Sequence, residues 1–175
     1  AWGGCTQMLL RMQEHPAVDG PLAPAEAVFH LVQQGWASGS AGKAAEKGFL
    51  RAGDSILEAG GDVLAAAREK ALDLAMDYAP PAKPLVAVTG RTGYLGLMQP
   101  VHAAALAGRA SETDILVAGA IAEVLTGGPE ADQLWRVAED DLMARERDAL
   151  MALSRTSATR ARMAHFLETG EPLRN

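Results

Sequence analysis

Apolar residues recur along this chain mainly at helical spacing, and the breaks between them are marked by glycine, proline and capping residues. After Gly3-Gly4-Cys5-Thr6, the positions Met8, Leu9 and Met12 predict a helix that leaves a glycine turn and ends before Pro16. Pro24 suits a first helical position, and Ala27, Val28, Leu31 and Val32 give a second helix its apolar stripe. Ser38-Gly39-Ser40 supplies caps for a short helix from Ala41 to Lys47, closed by Gly48. Phe49-Leu50-Arg51 reads as a brief extended segment, the one credible strand of the first half. Asp62 is a good N-cap for a long helix carrying Val63, Leu64, Ala67, Ala71, Leu74, Ala75 and Tyr78.

The prolines at 80, 81 and 84 end that helix in a stiff extended connector. A further helix is expected from about Leu95 to Leu106, interrupted or kinked at Pro100. Ser111-Glu112-Thr113-Asp114 opens the next, which stops at Thr126-Gly127-Gly128-Pro129. The longest predicted helix runs from Ala131 to Leu153, with Leu134, Val137, Ala138, Leu142, Ala149, Leu150 and Leu153 facing inward. The last starts at Ser157 or Thr159 and runs to Thr169, with Gly170 at its end and Pro172 behind it.

Composition agrees with this pattern. The 175 residues hold 35 Ala and 21 Leu against 10 Val and 3 Ile, which favours helix over sheet and excludes an all-β sandwich or barrel. The expected fold is mainly α with at most one or two short strands. Hydrophobic residues at 49% and charged residues at 22% exclude wholesale disorder. A net charge of −6 and scattered basic residues argue against a nucleic-acid partner. The longest apolar run, Ile115 to Ala122, falls far short of the roughly 20 residues a membrane helix needs. With Cys5 the sole cysteine and no signal peptide, a cytoplasmic location is expected. The chain opens without Met at Ala1-Trp2-Gly3-Gly4, as if inside a motif, so a piece of a longer protein is expected.

Four features carry candidate chemistry. Leu85 to Gly96 spells an apolar run followed by T-G-x-x-G-x-x-G, the phosphate turn of a dinucleotide-binding βαβ unit. Only 79 residues follow Gly96, however, and they read as helices; Asp114, at about the spacing of the ribose-binding acid, sits in a helix-start signal. Close packing of Gly90, Gly93 and Gly96 is therefore the preferred reading, with an NAD-binding oxidoreductase as the third-ranked function. Cys5 near a helix start is a candidate nucleophile or a small packed thiol. His15, His30, His102 and His165 lack metal-ligand spacing, so no metal is expected. Glu146 shares a helix face with Leu142, Ala149 and Leu153, where it reads as a general acid or base or as the partner of an arginine such as Arg145 or Arg147.

The C-terminal run Thr159 to Asn175 resembles the closing T-x-A-R-M-x-H-M-L-x-x-G-K-P-L-R-N of bacterial bifunctional β-oxidation proteins. These carry a 3-hydroxyacyl-CoA dehydrogenase followed by an enoyl-CoA hydratase (crotonase-like) domain. Ala1-Trp2-Gly3-Gly4-Cys5 is similar to the crotonase glycine turn, P-G-A-G-G-T-Q or P-A-G-G-G-C. Ser40-Ala41 with Ala45 and Gly48-Phe49-Leu50 resembles an S-A-x-E-A-x-x-x-G-L-V segment, and Gly90-Arg91-Thr92-Gly93-Tyr94 a G-E-T-G-Y loop of the same group.

The resemblance implies the helical C-terminal half of a crotonase-like domain. Residues 1–58 would be the glycine turn and short helices from the end of the core, and 59–175 the C-terminal helical region. The two catalytic glutamates of such a domain would lie upstream of Ala1, leaving this segment inactive alone. Ala1, Gly3 and Gly4 would form the turn that positions the catalytic water. Phe166 falls at a family aromatic near the adenine, with a core residue one turn on from Met163 as its preferred reading, and Thr169 where many relatives place a lysine on a CoA phosphate. Glu171 replaces the usual lysine before Pro-Leu-Arg-Asn. The segment itself needs no cofactor, while the parent would use NAD and a CoA thioester. Its expected partners are the rest of the parent chain and a second copy of itself. A helical protein-interaction module is the alternative reading.

Overall fold

The structure, a computed structural model, describes residues 3–57, 60–128, 130–132 and 135–175. Ala1, Trp2, Pro129 and Leu134, named above, lie outside these. The described elements are α1 (Gly4–Glu14), α2 (Ala23–Gln33), α3 (Ala41–Glu46), α4 (Val63–Met76), β1 (Leu85–Ala87), α5 (Gly90–Leu106), α6 (Glu112–Thr126), β2 (Arg136–Ala138), α7 (Glu139–Ser154) and α8 (Ser157–Thr169). They fall into two compact units, one of residues 1–37 with 84–175 and one of residues 38–83.

The larger unit has a closed core. Leu9 of α1, Val28 and Phe29 of α2, Val86 of β1, Met98 of α5, Ala122 and Leu125 of α6 and Leu142 of α7 are each at most 2% exposed. Each helix contributes from one stripe, the arrangement by which helices bury an apolar face against neighbours. On α2 that stripe is Pro24, Ala25, Val28 and Phe29, rotated from the expected one, and Val32 is 40% exposed. The strands pair antiparallel, Leu85 with Ala138, Val86 with Val137 and Ala87 with Arg136. Val88 N–H extends the ladder by donating to Trp135 O at 3.1 Å. The other side of β1 meets a side chain of α1: Gln13 Nε2 donates to Ala87 O at 2.7 Å and Gln13 Oε1 accepts from Ala87 N at 3.3 Å.

Six elements bury apolar side chains on one another, while large apolar residues of the same unit such as Leu95, Leu106, Trp135 and Leu167 stay exposed. Phe49-Leu50-Arg51 forms no strand. The two strands lie instead at Leu85–Ala87 and Arg136–Ala138, the second inside the stretch expected to be helical from Ala131.

Local capping chemistry sets the starts of four of the eight described helices, α3, α4, α6 and α8. Ser111 Oγ accepts from Asp114 N while Asp114 Oδ2 accepts from Ser111 N, a complete capping box for α6, and Gly127 ends that helix at φ +81°. Thr156 caps α8, and Gly170 closes it. In the smaller unit Ser40 caps α3 and Asp62 caps α4. No residue of α4 is buried; Leu64 and Leu74 of its apolar stripe stand 82% and 61% exposed, and Tyr78, expected on that stripe, lies beyond the helix end and is 69% exposed.

Arg162 of α8 ties the start of α6 to the end of the chain. Its Nη2 lies 2.9 Å from Asp114 Oδ1 and donates to Ser111 Oγ and Asn175 O, while Nε donates to Asn175 Oδ1. Partial burial works to raise the Asp114 pKa, but the Ser111 backbone amide, the Arg162 guanidinium and the Ser111 hydroxyl outweigh it and hold the carboxyl below its ordinary value of 3.8. A folded-state value below the unfolded one stabilises the fold above pH 3.8 and is lost as pH falls through the folded value. Acid titration of the folded fraction should therefore show a step below pH 3.8 that Asp114→Asn flattens; an unchanged profile would remove this assignment.

Candidate functional site

The N-terminus of α1 meets a buried carboxylate. Gly3 is its N-cap at φ +91°, a conformation glycine takes without strain, and a Cβ there would come within 3.0 Å of Met143 Cε. Opposite the first turn lies Glu146 of α7, only 5% exposed. Glu146 Oε1 accepts from Cys5 N, and Oε2 accepts from Thr6 N and Thr6 Oγ1, each at 3.1 Å. A carboxylate thereby satisfies helix N–H groups that have no intrahelical partner and sits at the positive end of the helix dipole. Its inward position was legible from the spacing of Leu142, Ala149 and Leu153, but these partners, some 140 residues away, were not.

This arrangement settles the chemistry of Cys5. Burial, and then the negative charge of Glu146, push its thiol up to about 12. It is protonated at neutral pH and therefore a poor nucleophile. The Cys5 and Thr6 amides, which at a helix start would suit an external anion, already serve an internal one.

The glycine-rich stretch 89–96 forms the entry to α5. Gly90 takes φ +56°, and a Cβ there would overlap the Ala131 carbonyl; at Gly93 it would overlap the Thr89 side chain and lie 3.2 Å from Thr126 Cγ2. At Gly96 it would lie 3.1 Å from Leu22 Cδ2. Each glycine thus permits a close approach within the fold, and β1 runs antiparallel to β2, whereas a dinucleotide-binding βαβ unit needs parallel strands. Thr89 Oγ1 is buried without a hydrogen-bond partner among the described residues.

Phe166 and Thr169 stand on α8, apart in sequence and element from Gly3 and Gly4, which pack on α7. The Phe166 ring is 56% exposed. Thr169 Oγ1 donates to His165 O at 2.8 Å and accepts from Glu171 N at 3.0 Å, so this hydroxyl finishes the helix. Among the described residues no group of three or more His, Cys, Asp or Glu is placed to hold a metal ion. No described helix is long and apolar enough to cross a membrane.

Among the described residues, two of the grooves on the larger unit bear on function. One, of about 660 Å³, is edged by Trp135, Arg136 and Arg145 together with Glu130, Asp141 and Asp148, a mixture of opposed charges. The other, of about 490 Å³, lies between α2, α5, α6 and α8. Sequence reasoning singled out neither, because their walls come from elements distant along the chain.

Comparison with known proteins gives one informative relationship. The chain is 34% identical over 156 residues to a probable 3-hydroxyacyl-CoA dehydrogenase of Bacillus subtilis (strain 168). No family model and no solved structure matches it. The similarity overturns the assignment to an enoyl-CoA hydratase, and with it the crotonase-like fold class: a mostly helical body with minimal strand content goes with a dehydrogenase relative. The match covers 89% of this chain but 20% of the relative, so the chain spans about a fifth of the protein it resembles.

Proposed function

We propose that this chain is a helical, non-catalytic segment of a 3-hydroxyacyl-CoA dehydrogenase, and that the whole protein oxidises 3-hydroxyacyl-CoA thioesters with NAD in fatty-acid β-oxidation. The observation that carries the reading is the 34% identity across 89% of the chain. The segment's own part is structural: it associates with the rest of the protein and with its own copy, and it lines the CoA thioester site through the exposed Phe166 ring and the neighbouring Thr169. The chemistry around α1 agrees with a non-catalytic role, since Cys5 is held protonated and Glu146 is committed to two amides and a hydroxyl. NAD and the reacting part of the substrate are bound by residues elsewhere in the parent.

A second reading, an autonomous helical interaction module, draws on the exposed stripe of α4. Two measurements on the 175-residue chain separate the two. Incubated with 3-hydroxybutyryl-CoA and NAD it should form no NADH, and turnover would end the non-catalytic assignment. Light scattering should show self-association, whereas a clean monomer favours the autonomous module.

A further inference from the structure

We infer that the 490 Å³ groove between α2, α5, α6 and α8 binds an amphiphilic monocarboxylate, its apolar body along α5 and α6 and its carboxylate on Arg109. The volume lies within the range of about 300–1,000 Å³ usual for small-molecule sites. One wall is Val101 and Ala104 of α5; the facing wall is Val117 and Ile121 of α6, four residues apart and so on one helix face. These side chains give the groove two apolar walls, and Gln33 and His30 of α2 line it beside them.

Arg109, in the turn after α5, makes no side-chain hydrogen bond or ion pair among the described residues, and His30 of α2 stands exposed beside the edge of Phe29. Arg162 and Asp114 also border the groove but are committed to one another at 2.9 Å. With Arg162 and Asp114 paired, Arg109 is the remaining fixed charge of the lining, a cation in a chain whose net charge is −6. A local positive rim on an acidic protein selects an anion, and a guanidinium presents paired N–H donors that match a carboxylate. With a single uncommitted arginine and no lysine in the lining, the rim fits a monoanion better than a phosphate. The Arg162–Asp114–Ser111 tie holds the α6 wall in place before any ligand arrives. This inference makes no use of the dehydrogenase reading, and either can fail without the other.

The probe is octanoate, titrated into the isotopically labelled 175-residue chain with methyl NMR readout, beside octan-1-ol and octylammonium. Saturable shifts are expected at Val101, Ala104, Val117 and Ile121, with octanoate binding tightest and octylammonium weakest. Arg109→Gln, whose exposed side chain has no partner to lose, should keep the wild-type melting curve and weaken octanoate by about fivefold. Val117→Glu, placing a negative charge in the groove, should abolish binding. Equal affinity for the three ligands, unchanged affinity in Arg109→Gln, or shifts concentrated at Leu64 and Leu74 of α4 would each overturn the assignment.

Discussion

Glu146→Ala should lower the stability of the chain by about 3 kcal/mol in a denaturant titration, because three donors lose their acceptor in a buried place. The Cys5 amide, the Thr6 amide and the Thr6 hydroxyl all point at this carboxylate, and their burial gives water little access to replace it. Glu146→Gln keeps one oxygen but turns an amide NH₂ toward a donor, so about half of the loss is expected to remain. The glutamine variant carries a second signature. Removing the negative charge takes away one of the two influences that raise the Cys5 thiol, so its alkylation should begin at lower pH than in the parent chain. A loss below about 1 kcal/mol in the alanine variant would mean that Glu146 behaves like a surface ion-pair residue and that α1 is held by packing alone.

Gly90→Ala should be comparably damaging, by about 2–4 kcal/mol, for two reasons that a control can separate. The backbone sits at φ +56°, and the added Cβ would overlap the Ala131 carbonyl. Gly108 has a similar φ of +68° but open space around a built Cβ. Gly108→Ala therefore reads the conformational cost alone, about 1 kcal/mol. The excess in Gly90→Ala measures how tightly the start of α5 is pressed against residue 131. Equal losses at the two sites would show that the 131 region yields and that the turn, rather than the contact, sets the requirement for glycine.

These two positions also mark where sequence reasoning stops. The start and end signals at Asp62, Ser111 with Asp114, Gly127 and Gly170 are local: the capping atom and the amide it serves lie within a few residues, so the chemistry is written in order along the chain. The start of α5 is not of this kind. Its glycines read as a loop ahead of a helix at Leu95, yet the helix begins at Gly90, because Gly93 and Gly96 fill places where Thr89, Thr126 and Leu22 approach. Thr126 and Leu22 lie far along the chain from these glycines, and no local signal announces them.

The strands failed for the same reason. Each is three residues long, too short to show alternation, and their pairing joins positions about fifty residues apart. Phe49-Leu50-Arg51, which read locally as an extended segment, forms no strand. For the candidate site, helical periodicity placed Glu146 on the inner face of α7, while the flanking Arg145 and Arg147 suggested a partner nearby in sequence. The actual partners belong to the first turn of α1, which only the assembled core brings within reach.

The contact between Gln13 and Ala87 bears on how this protein stays apart from other chains. A two-stranded ladder leaves its outer edges open, and Leu85-Val86-Ala87-Val88 is the kind of apolar extended run onto which a foreign strand adds. By offering both a donor and an acceptor to one residue, the glutamine amide imitates a neighbouring peptide group and occupies the middle of that edge. An incoming strand would have to expel a side chain anchored on a helix of the same core before forming its first bond. Resistance to edge-to-edge aggregation thus rests here on one amide borrowed from α1, and any tilt of that helix would reopen the edge.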